Sequence, residues 1–500
     1  MTLAGCRHAA EPPATPLRIA LHSPPHSLDP HAQNEVLSFG ILRHVYEGLT
    51  GFDADMRVVP LLAESWENPS DLVWRFHLRP NVHFHDGRLL GARDVVASLE
   101  RARQPTATRS FGSYLVSVEA VRAIDDSTVE ITTRQPYPIL LNKLTFVLIV
   151  PEGSPETIVA PIGTGPYRAA PYTTGQPLVL TAFRGYWGPS PAETDVELIA
   201  ENRGARRLEM LLAGAIDVAE DPTPAEAAEV SGRGEVRIVE RDSLTVLYLL
   251  MNPHRKPFAD LRVRRAVDLA VDRRQVVERS ELGRGLPLGQ MVGRNVFGFD
   301  PALAPRAPDP AAARALLAEA GYPQGIDADL ELRSGRNGGE VARQLTAAGI
   351  RTRLVERPWA EMYPRLLNGD VEFYLGAFVY PSADASDYFD AVVHTRRPGT
   401  GYGDNNHLNF SDPELDALIE RSGSTLDMLK RREVLALAMH RSLEGAIYAP
   451  LYSPSTLTAV RADLLWKPRL DGLLLAAEMR RAATRPREAN TAAAGRTATH

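Results

Sequence analysis

The spacing of apolar residues alternates along the chain between the period of strands and the period of helices. The segment LRIALHS (17–23) predicts a short strand, and VLSFGILRHVYEGL (36–49) repeats apolar residues at helical spacing, which predicts an amphipathic helix. In LVWRFHLRP (72–80) apolar and polar residues alternate, and VHFHDG (82–87) continues that alternation. These two segments predict a β-hairpin with one apolar face.

Helical spacing returns in the second half of the sequence. It covers FADLRVRRAVDLAVDRRQVVE (258–278) and DPAAARALLAEAG, where Asp309 can cap the helix, Pro310 stands at its first position and Gly321 can end it. SDPELDALIE (411–420) begins with the same signal. Because predicted strands and helices are interleaved, the pattern indicates an α/β fold.

Two long apolar runs remain, ILLNKLTFVLIV (139–150) and LTVLYLLM (244–251). Both are shorter than the roughly 18–20 apolar residues that cross a bilayer, so we interpret them as buried strands.

Composition describes a large globular protein. Its 500 residues predict two or three domains, and 44% of them are hydrophobic. The formal net charge is -6, and the only lysines are Lys143, Lys256, Lys430 and Lys467. No concentrated basic face is visible before the last two dozen residues or so, which argues against a nucleic-acid partner. The end of the chain, residues 479–500, lacks periodicity and is expected to be a disordered tail.

Common catalytic signatures are absent from the sequence. There is no phosphate-binding loop, no GxSxG and no HExxH, and GTGPYR (163–168) has Arg where a dinucleotide fingerprint needs its third Gly. His77, His83 and His85 fall on the polar side of the predicted hairpin. They could bind a transition metal together, but a solvated outer face is the favoured interpretation, so we expect no metal site and no cofactor.

The only cysteine, Cys6, cannot close an internal disulfide or supply the sulfurs of a structural zinc site. Leu3-Ala4-Gly5-Cys6 resembles a bacterial lipobox, so residues 1–15 are interpreted as lipobox and tether. A secretory signal needs a basic segment and roughly 7–15 apolar residues before its cleavage site. Because so little sequence precedes Cys6, we expect the true start codon to lie upstream.

Several stretches together resemble the family-5 solute-binding proteins of bacterial ABC importers, which include oligopeptide, dipeptide and nickel binders. They occur in family order from about residue 17 to 475 and are SLDPH, YEGLTGFD, PLLAESWE, WRFHLRPNVHFHDG, IGTGPYR, MNPHRKPFADLRVRRAVDLAVDR, AEAGYPQG and NFSDPELDALI.

The resemblance implies the type II periplasmic-binding-protein fold, with two α/β lobes around a ligand cleft and a subdomain inserted in the first lobe. The implied division is 16–48, 165–246 and 447–478 for the lobe I core, 49–164 for the inserted subdomain and 247–446 for lobe II. The hinge would lie near YLLMN (248–252) and EGAIYAPLY (444–452).

The function implied is capture of a peptide or peptide-like solute outside the cytoplasmic membrane and delivery to an ABC permease and its ATPase by lobe closure. No bond is broken, so the protein would not be an enzyme. We expect a monomer in the periplasm or on the cell surface, attached to the membrane only through lipidated Cys6. The alternatives are a receptor or sensor of the same fold for a metal chelate or another small solute, and a secreted hydrolase.

The resemblance also implies ligand-binding residues. Trp359 and Phe378 stand at family aromatic positions, His26 and Ser27 resemble the cleft edge of lobe I, and Tyr114 resembles a contact from the inserted subdomain. Ordinary core packing is the alternative for each aromatic residue.

One position departs from the family pattern. Peptide binders of the family carry an Asp shortly after the cleft Trp, where it meets the ligand's ammonium, but this chain has Pro381 there, with Tyr380 and Ser382 as neighbours that we include as candidates. We expect either Asp384 or Asp387 to reach the cleft instead, or the ligand to present no free amine there. Asp384 could also be a helix cap.

A last candidate ligand contact is Asn252, for which a hinge cap is the alternative.

Overall fold

The computed structural model describes residues 15–32, 35–104 and 111–482, so Cys6 and most of the predicted tail lie outside the described residues. Strands and helices alternate over the whole described part. The strands are β1 (Leu17–Leu21), β2 (Thr50–Phe52), β3 (Val58–Pro60), β4 (Ala63–Ser70), β5 (Val73–Leu78), β6 (Val118–Ala123), β7 (Thr128–Thr133), β8 (Tyr167–Ala169), β9 (Leu178–Ala182), β10 (Asp195–Ala200), β11 (Val218–Glu220), β12 (Val236–Asp242), β13 (Thr245–Met251), β14 (Gly285–Pro287), β15 (Ile326–Arg333), β16 (Ile350–Arg357), β17 (Phe373–Val379), β18 (Tyr448–Arg461), β19 (Leu464–Leu465) and β20 (Arg480–Arg481).

The helices are α1 (Val36–Leu42), α2 (Ala92–Arg103), α3 (Leu140–Leu144), α4 (Gly204–Leu212), α5 (Pro224–Val230), α6 (Leu261–Ala270), α7 (Arg273–Ser280), α8 (Pro310–Glu319), α9 (Gly339–Ala347), α10 (Trp359–Leu367), α11 (Ser386–Tyr388), α12 (Pro413–Ser424) and α13 (Met428–Glu444). Short turns of 3₁₀ helix cover Phe111–Leu115 and Ala476–Glu478, and a π-helical turn covers Phe389–Val393.

A twelve-stranded mixed sheet runs through the molecule in the order β16-β15-β17-β13-β18-β11-β1-β10-β9-β8, and β12 and β14 also pair with β18. We call the half from β8 to β12, with β1, lobe I, and the half from β13 to β17 lobe II. The pair β1 and β11 is parallel, as is the pair β15 and β16. A separate four-stranded antiparallel sheet, β4-β5-β7-β6, lies between residues 63 and 133.

The long strand β18 belongs to both lobes. Its first part pairs with β13 and β14, and from Ser455 onward it pairs with β12 and β11. The other passage between lobes is the short connection from Asp242 to Thr245. The chain therefore crosses beside Pro454 and beside Ser243, whereas the segments expected to form the hinge, 248–252 and 444–452, lie within or next to the parts of β13 and β18 that belong to lobe II.

The predicted hairpin of 72–80 with 82–87 is wrong. Strand β5 forms its hairpin with the preceding strand β4 and pairs on its other side with β7, whereas His83 makes only an isolated bridge to Leu89. His85 is also not on a solvated face: it is 7% exposed and its Nε2 lies 2.9 Å from the Gly165 carbonyl oxygen. Burial lowers the pKa of His85 to about 4. Among the described residues, no group of three side chains is placed to hold a metal ion.

Helix α1 is shorter than its apolar pattern predicts. After Leu42 the chain turns to pair with residues of the GTGPYR segment, through Gly165 N–H to Val45 O and Tyr167 N–H to His44 O. One further turn closes with the bond from Tyr46 N–H to the Leu42 carbonyl oxygen, and the chain then follows the GTGPYR segment instead of continuing the helix. A Cβ at Gly163 would lie 2.0 Å from the Val45 carbonyl oxygen, so this close approach requires glycine there.

The run 139–150 contains the helix α3 rather than a strand, whereas 244–251 forms the buried strand β13, as predicted. No helix in the described part of the chain has both the length and the apolarity to cross a bilayer.

The cap signals correctly predict where α8 and α12 begin. Asp309 accepts a hydrogen bond from Ala312 N–H, and Asp412 does so from the N–H groups of Glu414 and Leu415. The periodic segment 258–278 forms two helices, since Asp272 caps a new one. The disordered tail was predicted to begin at residue 479, which is too early. Residues 480 and 481 form strand β20, which pairs with β19.

Candidate functional site

A cleft of about 900 Å³ lies between the two lobes. Lobe I contributes the chain that follows β1 and β11 and the beginning of α1, and lobe II contributes residues 279–282 and 333–337. Residues of β13 and β18 complete the lining. Since β1, β11 and β15 present their carboxyl ends here, the cleft occupies the usual ligand position of open α/β sheets.

The two walls of this interlobe cleft carry opposite charges. The carboxylates of the lobe I wall are Glu35, Glu220, Asp221 and Asp471, and the guanidinium groups of the lobe II wall are Arg279, Arg333 and Arg336. Glu281 is a carboxylate on the lobe II wall. The Tyr452 hydroxyl donates to the Glu281 carboxylate at 2.6 Å, and burial raises the pKa of Glu281.

Arg336 is a charged residue of the cleft with an unsatisfied hydrogen-bond donor. Its Nε is buried and has no hydrogen-bond partner among the described residues. On the opposite wall, Asp221 has a left-handed backbone (φ 44°), and desolvation together with the neighbouring Glu220 carboxylate raises its pKa. A buried guanidinium N–H without an acceptor costs free energy, so Arg336 is suited to an anionic group of a ligand.

A smaller apolar cavity of about 190 Å³ adjoins the cleft and shares Val36, Ser243 and Thr456 with its lining. We call it the central cavity. Aromatic rings form much of it, with the Phe146 ring centroid 5.2 Å from that of Phe39 and 5.1 Å from that of Tyr114. It provides space for an apolar part of a ligand.

A third space, which we call the side cavity, has a volume of about 440 Å³. It shares Tyr114, Val379 and Pro381 with the central cavity, so the three spaces follow one another along the lobe interface. Its charged lining residues are Lys143, Asp387, Asp390 and Asp404.

Among the residues predicted to bind ligand, Tyr114 and Phe378 line the side cavity. Tyr114 also lines the central cavity, and its ring lies 5.5 Å from Lys143 Nζ. Phe378 packs edge-on against Tyr380, with ring centroids 4.9 Å apart. These two positions are therefore kept as candidates.

Neither predicted replacement for the missing carboxylate is free to bind a ligand. Asp384 is 2% exposed and both of its oxygens accept from Arg431, at 2.6 and 2.8 Å. Asp387 lines the side cavity, but one oxygen lies 2.9 Å from Lys143 Nζ and the other accepts from Ser382 Oγ at 2.7 Å. Asp384 is thus part of a buried ion pair and is removed from the candidates.

Tyr380 and Ser382 are also structural. Tyr380 is fully buried and its hydroxyl donates to the Met291 carbonyl oxygen. Ser382 is fully buried, with its Oγ bonded to Asp387 and its carbonyl oxygen accepting from Asn142 Nδ2 at 3.0 Å. Their polar groups are already used inside the protein.

The remaining predicted positions lie away from all three spaces. Trp359 begins α10, is 44% exposed and stacks beside Tyr363 at 5.3 Å. Asn252 is buried and caps a turn, because its Oδ1 accepts from His254 N–H and its Nδ2 donates to carbonyl oxygens.

His26 is exposed and Ser27 accepts from Asp29 N–H. Neither lines the interlobe cleft, the central cavity or the side cavity. The matching stretch that begins at Ser27 still lies close to the cleft, because His22, a few residues before it, lines the cleft.

The residues that sequence reasoning missed are Arg333, Arg336 and Asp390. Arg333 is the last residue of β15 and Arg336 stands in the polar loop that follows, and a charged loop after a strand of an α/β sheet was the signal available. Nothing in the local sequence separates Asp390 from its neighbours Asp384 and Asp387.

Comparison with known proteins agrees with this architecture. The family described as bacterial extracellular solute-binding proteins, family 5 Middle, matches residues 57–400. Heme-binding protein A of Haemophilus influenzae is 28% identical over 424 residues, which is 76% of each chain. The dipeptide-binding protein of Escherichia coli is 27% identical over 434 residues, covering 78% of this chain and 81% of the relative.

A solved structure gives the fold directly. The periplasmic binding protein from Helicobacter pylori in complex with the peptide STSA superposes with a TM-score of 0.80 at 20% sequence identity, covering 93% of this chain and 98% of that chain. The chain therefore has the two-lobed type II periplasmic-binding-protein fold that the resemblance implied.

Proposed function

Because the chain belongs to the bacterial extracellular solute-binding proteins of family 5, we propose that it captures a peptide or peptide-like solute for an ABC importer. The observation that supports this most is the opposite charge of the two cleft walls, carboxylates on lobe I and arginines on lobe II. A peptide with free ends carries one ammonium and one carboxylate, so it matches both walls at once.

The size and lining of the cleft fit the same solute. A volume of about 900 Å³ is within the range of small-molecule sites, and the adjoining central cavity offers an apolar space for a side chain. In this proposal Arg336 binds the solute's carboxylate, because its buried Nε still needs an acceptor. Relatives named as a dipeptide-binding protein and a peptide complex support peptide as the solute class.

Calorimetry with trialanine and its C-terminal amide tests this assignment. We expect trialanine to bind the wild type, and amidation to weaken binding about tenfold because a charge-assisted bond is lost. In Arg336→Gln the two peptides should bind alike. If neither trialanine nor a wider panel of peptides binds the folded protein, peptide capture is wrong.

Delivery would follow from closure of the lobes about the two crossings beside Ser243 and Pro454. Within this proposal the lobe I core is 16–48, 165–246 and 447–478, the inserted subdomain is 49–164 and lobe II is 247–446. A bound solute favours the closed state by touching both walls, and the permease with its ATPase then receives it. Small-angle scattering should show a smaller radius of gyration with trialanine; an unchanged radius with saturating peptide contradicts closure.

The site of action in this proposal is outside the cytoplasmic membrane, with a lipid anchor at Cys6. Acyl chains bind membranes at about 0.8 kcal/mol per buried methylene. Expression from an upstream start codon should place the protein in the membrane fraction, and Cys6→Ser should release it. Equal membrane association of both proteins would refute the anchor.

A further inference from the structure

The central cavity combines an aromatic wall with a charged side chain that has no polar partner among the described residues. Arg43, at the end of α1, lines the cavity together with the rings of Phe39, Phe52, Tyr114 and Phe146. The Arg43 Cζ lies 5.7 Å from the centre of the Phe39 ring, so the guanidinium group stands beside this wall. In the described part of the chain, no hydrogen bond or ion pair joins that guanidinium group to another residue.

The carboxylates that act on Arg43 are bonded to other groups. Asp471, the other charged residue of the cavity lining, and Glu478 each lie 2.7 Å from nitrogens of Arg469. Glu47 accepts three hydrogen bonds from other side chains. Burial and the neighbouring Arg469 cation lower the pKa of Arg43, against the opposing effect of these carboxylates. The protein itself therefore compensates the charge of Arg43 only in part.

The donors of Arg43 remain accessible. The residue is partly buried, and its nitrogens are not among the unbonded polar atoms that are sealed from solvent, whereas Nε of Arg336 is one of them. Because Arg43 lines the central cavity, a group that enters the cavity meets this side chain.

The cavity has room for a group about the size of a benzene ring. An apolar cavity of roughly 150 Å³ can hold benzene, and the central cavity measures about 190 Å³. Its aromatic wall favours an apolar body, and the planar guanidinium group can bond both oxygens of a carboxylate. An ammonium group would be repelled by Arg43, and a wholly apolar group would leave the donors of Arg43 unbonded.

A solute in the interlobe cleft can extend a side group into this cavity, because the two spaces share Val36, Ser243 and Thr456. Arg336 lines the cleft but not the central cavity. The two arginines are therefore placed to bind different groups of one solute.

We propose that the central cavity is a subsite for an acidic side group of the solute, an apolar stem or ring that ends in a carboxylate, and that Arg43 binds this carboxylate. The inference rests on the proposed capture of a peptide-like solute. It narrows that class to solutes with an anionic side group in addition to the carboxylate assigned to Arg336.

The test uses benzoate, an aromatic ring with one carboxylate, and toluene as its uncharged counterpart. We expect Arg43→Gln to weaken binding of benzoate about tenfold, the loss typical of a charge-assisted bond. Binding of toluene should stay unchanged, which also shows that the cavity is still formed. Arg57→Gln is the matched control and should bind benzoate like the wild type, because Arg57 is exposed and follows Met56 of the cavity wall without lining the cavity itself.

Methyl NMR of the methionines locates the probe and gives its dissociation constant. Met56 lines the central cavity but neither the interlobe cleft nor the side cavity, so benzoate should shift its methyl signal, which Met56→Leu identifies. No shift of this signal, equal affinity of wild type and Arg43→Gln for benzoate, an equal loss for benzoate and toluene, or an equal loss in Arg57→Gln would each overturn the proposal. No peptide takes part in this titration, so its failure is separate from failure of peptide capture.

Discussion

Two buried carboxylates, one in each lobe, differ in the hydrogen bonds that their oxygens accept. Glu47, behind α1, is 4% exposed and accepts from Thr164 Oγ1, Tyr186 Oη and Trp187 Nε1 at 2.8–2.9 Å. Asp390 at the side cavity has a buried oxygen, Oδ1, to which no residue in the described part of the chain donates. Burial raises the pKa of both.

The difference separates structure from function. The donors to Glu47 are Thr164 inside GTGPYR and Tyr186 and Trp187 beyond it, so this carboxylate holds both segments to the chain that follows α1 and uses its bonding capacity inside the protein. No described residue donates to Asp390 Oδ1, so the desolvation of this carboxylate is not compensated by a hydrogen bond there. A buried carboxylate with a full set of donors is therefore structural in this protein, whereas a buried oxygen without a donor costs free energy of folding.

The largest effect should come from a third carboxylate, Asp384, which has a full charge partner. Asp384→Ala leaves the guanidinium of the fully buried Arg431 without a counterion, and such a loss costs about 4 kcal/mol of unfolding free energy. Urea unfolding measures it, with Asp404→Ala as the exposed control expected to change little. A loss below about 1 kcal/mol would show that this pair is not what holds α11 to α13.

Glu47→Ala should rank next, because three donors lose their acceptor together. We expect a loss of about 3 kcal/mol in the free energy of unfolding, with Glu47→Gln intermediate since its amide oxygen still accepts. Urea unfolding at neutral pH measures both. If Glu47→Gln is as unstable as Glu47→Ala, the three hydrogen bonds are not the source of the effect.

The sequence predicted correctly the helix ends that are determined by residues next to them in the chain. Asp309 and Asp412 cap α8 and α12 from adjacent positions, and Gly321 has the left-handed backbone (φ 93°) expected just past a helix end. The length of α1 and the partners of β5 were predicted wrongly. The end of α1 depends on residues far along the chain, 165–167, whereas β5 pairs both with the adjacent strand β4 and with the distant residues 128–133.

The candidate site shows the same limit. The resemblance supplied Tyr114 and Phe378, which line the side cavity, but Asp384 could not be judged without knowing that Arg431 packs against it. Arg336 and Asp390 become candidates because each has a buried polar atom with no hydrogen-bond partner among the described residues. The sequence alone does not reveal this, since it depends on how the side chains pack.

Asp390 should also make the free energy of unfolding depend on pH, and Asp390→Asn should remove that contribution. Glu47, whose pKa burial also raises, contributes equally to both proteins, so the comparison isolates Asp390. Its folded pKa of about 7 lies above the unfolded value near 3.9, so the folded state holds the proton more tightly and stability falls as pH rises from about 4 to about 7. Relative to wild type, Asp390→Asn should therefore gain on the order of 2 kcal/mol between about pH 5 and pH 8. Urea unfolding at both pH values measures this. Parallel profiles for the two proteins would mean that Asp390 is ionised in the folded state at pH 5.

The smallest effect should come from removing one donor to Glu47 while leaving the other two. Thr164→Val keeps the shape of a fully buried side chain and deletes only the hydroxyl that lies 2.9 Å from Glu47 Oε2. Because Trp187 Nε1 still donates to the same oxygen at 2.8 Å, we expect a loss of about 1 kcal/mol, the usual net value of one hydrogen bond. Thermal unfolding of Thr164→Val, Glu47→Ala and the double variant measures how far the two effects overlap. If the double variant is no less stable than Glu47→Ala, the hydroxyl acts only through this carboxylate; a loss equal to the sum of both would show that Thr164 contributes elsewhere. The same cycle with Asp390→Asn in place of Glu47→Ala should be additive, since Asp390 belongs to the other lobe.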